Sequence, residues 1–467
     1  MQPLSSARRV LAVAIAAALL PAVVQADPTN AELLQKIEEL SQKVLVLERK
    51  LEVQDEATKT AATTAPVVKA SSRGFSIASA DNKNQLKLRG VMHVDGRFFE
   101  SDDPQGLQDT WQATRVRPIV EGTLGGLYDF RITPDFGQGR TVIQDAYVTG
   151  RFDPAFQVTA GKFKVPVGLE RIQSANDTRM VARGFPTQLA PNRDIGLQVA
   201  GGFGGDRLSY AVAWLNGSND GGSSDAFADV DLNDDKEYAA RGFAHPFGAS
   251  ESFALRGLGL GIAGTYTSQT GTTAQPLLPV LRTPAQSPLF RYRTGTTPTL
   301  ADGERTRLAP QLYYYVGRFG LLGEYTTVSQ DVSRTTTAGR REDTLDTTAW
   351  QVQASWFLTG EEESFRGFKP NNVFSLANAT WGAFELVARY QVLDPDDDAF
   401  VGGAASFADP ANAASQATAY GLGLNWYLNE NLKWVLNYDH TSFDGGAADG
   451  ADREDEDVFL TRFALGF

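Results

Sequence analysis

The chain has 467 residues, with 43 Lys and Arg against 56 Asp and Glu, a formal net charge of −13 and no cysteine. No disulfide framework is available to it, no nucleic-acid partner is expected, and a cysteine nucleophile is excluded. Length alone suggests about three soluble domains, yet no change of pattern after residue 85 marks a boundary.

The N-terminus reads as an export signal. Two arginines, Arg8 and Arg9, precede an apolar run from Val10 to Val24, and Ala26 closes a small-residue cleavage site. At about 15 residues the run is short for a membrane span. Residues 1–26 are therefore expected to be a signal peptide, with the mature chain starting near Asp27. Leu33, Ile37, Leu40, Val44, Leu47 and Leu51 then recur at alternating steps of four and three. That is the seam of a short coiled coil, expected over residues 27–56 on the periplasmic side. Residues 57–84, rich in Ala, Thr and Ser, are expected to be an extended linker.

From residue 85 the pattern has period two. Leu86, Leu88, Met92 and Val94 alternate with Lys87, Arg89, His93, Asp95 and Arg97; Phe459, Phe463, Leu465 and Phe467 close the chain in the same way. Strands are predicted near 86–99, 111–125, 127–136, 141–151, 155–166, 194–203, 206–216, 237–247, 256–268, 306–316, 318–330, 345–358, 381–393, 416–428, 431–443 and 455–467. The number is even, the joins alternate between short and long, and one face of each strand is apolar and aromatic. These are the marks of an all-β, 16-stranded antiparallel transmembrane barrel over residues 85–467, in the outer membrane of a Gram-negative cell. The long join at 359–380 falls where a short turn is due. No later stretch approaches the 18 apolar residues of a membrane-spanning helix.

A barrel of this size leaves an aqueous lumen. In GKFKVPVGLERI (161–172), Lys162 and Lys164 are two apart and are expected on the lumen face, with Phe163 and Val165 opposite. Arg89, Arg97, Arg115, Arg117 and Arg131 are further pore-lining candidates. The long joins differ in charge. The third, 167–193, carries Arg171, Arg179, Arg183 and Arg193; the fifth, 269–305, carries Arg282, Arg291 and Arg293; each has a net charge of +2. Three others, at 217–236, 394–415 and 444–454, carry −5, −5 and −3. Rows of basic side chains favour anions, whereas acidic loops at a pore mouth attract cations.

The runs RVRPIVEGTLGGLYDFRITPDFGQG, GKFKVPVGLERIQSA and PNRDIGLQVAG, with WGAFELVARYQVLD and the terminal FLTRFALGF, resemble the phosphate-selective porin O and P family over essentially residues 85–467. The resemblance implies a trimer, loops folded into the lumen, and an arginine ladder leading to a phosphate-binding lysine zone. By position the third and fifth long loops would be the inward ones. Lys162 and Lys164 match by motif, and Arg115 and Arg117 by the strand before EGTL. The expected function is a passive channel for phosphate or polyphosphate, working as a homotrimer among outer-membrane lipid and lipopolysaccharide. The alternative is a weakly selective diffusion porin. No enzyme, cofactor or metal is expected: His93, His245 and His440 are the three histidines, and none lies near a nucleophile motif.

Overall fold

A computed structural model describes residues 30–100, 107–205, 207–231, 234–367 and 369–467. The expected signal peptide and residues 27–29 lie outside them. The described residues fall into two units, one ending at Ala65 and one spanning Pro66–Phe467.

The first unit is helix α1, Asn30–Thr64. Its heptad residues Leu33, Ile37, Leu40, Val44, Leu47 and Leu51 are all exposed in the single chain. The helix continues eight residues past Glu56, through the segment expected to be extended. Ala57, Ala61 and Ala62 favour it, and Pro66 lies just past its end. The rest of the expected linker is also ordered. Val67–Ser71 (β1) and Gly74–Ala78 (β2) form a hairpin whose second strand pairs with the start of the barrel, Phe75 opposite Leu88.

The barrel strands are β3 (Gln85–Phe99), β4 (Thr110–Leu124), β5 (Tyr128–Asp135), β6 (Val142–Asp153), β7 (Phe156–Lys164), β8 (Arg193–Phe203), β9 (Leu208–Leu215), β10 (Glu237–Ala244) and β11 (Leu258–Thr270). A separate hairpin, β12 (Val280–Arg282) and β13 (Pro288–Arg291), interrupts the series. It resumes with β14 (Thr299–Val316), β15 (Phe319–Thr336), β16 (Gly339–Phe357), β17 (Ala383–Asp394), β18 (Ala414–Tyr427), β19 (Leu432–Gly445) and β20 (Glu456–Gly466). Each strand pairs antiparallel with the next, and β20 returns to β3. At the seam Gly90 and Phe467 exchange both backbone hydrogen bonds at 3.0 Å. Sixteen strands thus close without an edge, as lipid requires.

The predicted strands all exist, and most boundaries fall within three residues. The largest differences are at β14, β15 and β16. These run on into an extended hairpin sheet paired through Thr336 and Gly339, with Thr337 and Ala338 as its turn. Thr and charged residues fill this extension, so its pattern is that of a wet strand rather than a lipid-facing one. Where lipid is the solvent, aromatic rings meet on the outer face. Trp111 stacks on Phe463, which stacks on Trp434, and Trp426 stacks on Phe384.

The short turns at 125–127, 154–155, 317–318 and 428–431 mark the periplasmic end. The third loop, 165–192, does not stay at the other end. It crosses the lumen, and the facing wall is cut to receive it. On β18, Gly421 lacks the side chain that Met180 displaces: a Cβ there would lie 2.6 Å from the Met180 Cε and 2.5 Å from an Asp439 oxygen. Gly421→Val is expected to cost about 1–3 kcal/mol through overpacking, read as a lower urea midpoint of a barrel that still inserts.

The lumen constriction as candidate functional site

The third loop is fixed to β3, β15, β17 and β19 of the wall. The Glu324 carboxylate on β15 accepts the backbone N–H groups of Leu169 and Glu170. Gln391 on β17 accepts from the Phe185 N–H at 2.8 Å, and Asn437 on β19 from the Val181 N–H at 3.1 Å. Arg389 donates to the Ala182 carbonyl at 2.9 Å, and Lys433 to the Thr178 carbonyl at 2.7 Å. His93 on β3 meets Asn176 at 2.7 Å.

A second segment reaches the loop from the periplasmic side. Residues 358–382, the join too long for a simple turn, fold inward instead of turning back. Gln173 donates to the Phe365 carbonyl at 2.8 Å, and Phe365 stacks on Tyr313. Arg179 donates to Glu363 and, at 2.7 Å, to Glu385 on β17. All three are nearly sealed from solvent. The loop is therefore gripped from wall and floor.

Below the loop lies a cavity of about 1200 Å³, open to the periplasmic end. Twelve Lys or Arg line it against four Asp or Glu. Of the expected pore residues, Arg89, Arg115, Arg117, Arg131, Lys164, Arg171, Arg183 and Arg193 are among the twelve. They divide by partner. Arg89 and Arg131 share Glu121, Arg131 and Arg193 share Asp145, and Arg117 pairs with Asp135 at 2.8 Å. The other four have no carboxylate within ion-pair distance among the described residues. Lys164 donates to the Ile172 and Gln173 carbonyls at 3.2 and 2.7 Å, and Arg183 to the Glu170 and Gln173 carbonyls at 3.1 and 3.2 Å. Arg171 donates to the Thr187 carbonyl, and Arg115 to His93. Carbonyl oxygens orient these cations without neutralising them. Burial, then the neighbouring Arg183 and Arg193, lowers the Arg171 guanidinium to about 9. Burial likewise brings Arg183 to about 10. Both stay charged at neutral pH, in surroundings that an anion would relieve.

Several expectations are corrected. Lys162 does not line this cavity. Gln157, Thr159 and Phe163 on β7 do, which puts Lys162 on the alternate face, opposite Ala146 and Ile195. There it is buried and paired with Asp225 at 3.4 Å and Asp229 at 2.6 Å, both from the acidic fourth loop. Gly161, at φ +124°, sits just before it. Lys164 is the last residue of its strand, where pleat alternation no longer sets direction. Arg97 lies toward the outer end of β3 and is not among the cavity residues. Arg179 braces Glu363 and Glu385 rather than facing open water.

The fifth loop also turns inward, but with its apolar side. Leu281, Leu289 and Phe290 pack against Phe185 and Leu189 of the third loop. Of its arginines, Arg282 donates to the Gln286 carbonyl at 2.9 Å, Arg293 pairs with Asp409 at 3.4 Å, and Arg291 is exposed. None lines the cavity. Conversely, Arg73 at the hairpin turn and Arg366 and Lys369 on the inward turn do line it. Sequence reasoning passed over all three. The anomalous length of 359–380 was the available signal for the last two.

A profile of the phosphate-selective porin O and P family matches residues 86–467. The chain belongs to this family. With its closed 16-stranded barrel it is a porin of the outer membrane. Porin O of Pseudomonas aeruginosa is 31% identical over 120 residues, which is 25% of this chain and 26% of that protein. The match therefore spans about a quarter of the relative. Among solved structures, the outer membrane channel DcaP of Acinetobacter baumannii superposes over 82% of this chain and 97% of its own, with a TM-score of 0.50 and 13% identity. The anion-selective porin from Comamonas acidovorans covers 82% of this chain and 100% of its own, with a TM-score of 0.47 and 12% identity. At these identities the likeness concerns the fold. In this porin, removing Arg179 would leave Glu363 and Glu385 facing each other in a buried site. Arg179→Ala is expected to cost about 3–5 kcal/mol, seen in urea unfolding, and to raise single-channel conductance as the third loop loses its floor.

Proposed function

We propose that this porin is a passive, anion-selective channel whose solute is phosphate or polyphosphate. The observation that carries the reading is the lining of the cavity, twelve bases against four acids, with no carboxylate within ion-pair distance of Lys164, Arg115, Arg171 or Arg183 among the described residues. An oxyanion entering from either side meets guanidinium forks able to donate paired hydrogen bonds. These replace part of its hydration, yet each contact is weak enough for release. Carbonyl-held cations suit that task. They keep their direction without a resident counter-charge to be displaced.

The test is a planar bilayer under a potassium chloride gradient, followed by phosphate titration. A reversal potential of the anion-selective sign is expected, with chloride current blocked by phosphate. A cation-selective sign would overturn the reading and make the acidic loops the controlling element. Arg171→Gln and Lys164→Ala should each weaken phosphate block about tenfold, the loss of one charged hydrogen bond. A combined Arg282→Gln, Arg291→Gln and Arg293→Gln variant should leave the block within about twofold, since a surface charge away from the path adds little.

We further infer a homotrimer joined through α1. The six exposed heptad residues are the support, because an apolar seam of this length is satisfied by a second copy of itself. The chain has no cysteine, so Leu40→Cys provides a single reporter. Oxidation should yield a disulfide-linked dimer band from the full-length protein. A monomer band alone would count against the bundle.

A further inference from the structure

One buried histidine stands between the loop and the pore. His93 is fully buried on the lumen face of β3, beside Arg115 on β4 and Ala464 on β20. Its Nδ1 lies 3.1 Å from the Arg115 Nη1, and its Nε2 lies 2.7 Å from the Asn176 Oδ1. A guanidinium can only donate. The Nδ1 atom must then be the accepting lone pair, and a neutral ring carries its proton on Nε2. That proton is donated to the Asn176 amide oxygen, which also fixes which way the amide points. The two contacts leave one consistent protonation state, the neutral Nε2–H tautomer.

The surroundings agree with a neutral ring. Arg462 on β20 is taken by Asp95, with both contacts at 2.7 Å. Lys433 on β19 points at the Thr178 carbonyl, and Arg183 of the third loop is also near Arg115. The neighbouring charges that reach the ring from β4, β19 and β20 are all cationic. A second proton would set an N–H group against the Arg115 guanidinium. The seat for Asn176 is shaped on its far side too: a Cβ on Gly466 would overlap the amide nitrogen.

We propose that His93, as the neutral Nε2–H tautomer, is a positioning residue that aims Arg115 into the anion path and seats the tip of the third loop on the barrel seam. It touches no solute. It replaces the carboxylate that would ordinarily hold such an arginine, so Arg115 is oriented with its charge intact. The proposal rests on the anion reading above for its functional half and on hydrogen-bond chemistry alone for the tautomer.

Each half has its own measurement on the full-length trimer. Glutamine can accept from Arg115 and donate to Asn176 as neutral histidine does; alanine can do neither. With phosphate as the blocking probe, His93→Ala is expected to weaken block about tenfold, the loss of one charged hydrogen bond. His93→Gln should stay within about threefold of the unaltered channel. Equal block in His93→Ala and the unaltered channel, or equal loss in both variants, overturns the positioning role. If the unaltered channel shows no phosphate block, the anion reading fails, and the tautomer decides the rest. The chain has three histidines, so selective ¹⁵N labelling, with His93→Gln for assignment, identifies the ring. A proton on Nε2 with a bare Nδ1 at neutral pH supports the proposal. A proton on Nδ1, or a charged ring, overturns it whatever the channel prefers.

Discussion

Lipid offers no hydrogen bonds, so every backbone N–H and C=O in the membrane must find its partner within the chain. The exchange between Gly90 and Phe467 completes that requirement by pairing the last strand with the first. Once closure is fixed at sixteen strands, the lumen is wide enough for an open aqueous passage. A selective pore of that width must be narrowed from inside. The third loop does this from one end and residues 358–382 from the other. They meet at Arg179, whose two buried carboxylates come from the floor and the wall.

What kind of acceptor faces each cation then decides what the narrowed passage can attract. A carboxylate orients a guanidinium and cancels its charge. A backbone carbonyl, or a histidine lone pair, orients it and cancels little. Both arrangements occur within one cavity. Arg117 and Arg193 belong to the first kind. Lys164, Arg171 and Arg183, with Arg115, belong to the second. The first set is neutralised within the wall, while the second keeps its charge toward the cavity.

Much of this was legible in the sequence, and for a physical reason. Lipid on one side and water on the other impose a strict period of two, so the strands and their order could be read directly. The lumen-facing positions of Arg115, Arg117 and Arg131 followed from the same rule. The rule stops where the solvent changes or the pleat ends. Lys162 and Lys164 share one spacing, yet Gly161 precedes the first and the strand ends at the second, and they part company. Arg179 and Arg183, four apart on one loop, serve different ends because one meets Glu363 and Glu385 and the other meets carbonyls. Such partners are long-range, and no local pattern announces them. The charge of the fifth loop was visible, but its packing side was decided by Leu281, Leu289 and Phe290. In residues 57–64, helix propensity outweighed a composition that reads as a spacer.

The third loop also bears on the order in which the molecule can be completed. Its anchors lie on β15, β17 and β19 and at the seam, as many as 256 residues away along the chain. Apart from His93 on β3, they all follow the loop in the chain, so it can dock fully only once those later strands stand beside it. The constriction is therefore completed late, and a barrel without its docked loop is a wider passage. The same side chains that narrow the finished passage thus also report, by their docking, that the wall behind them is whole.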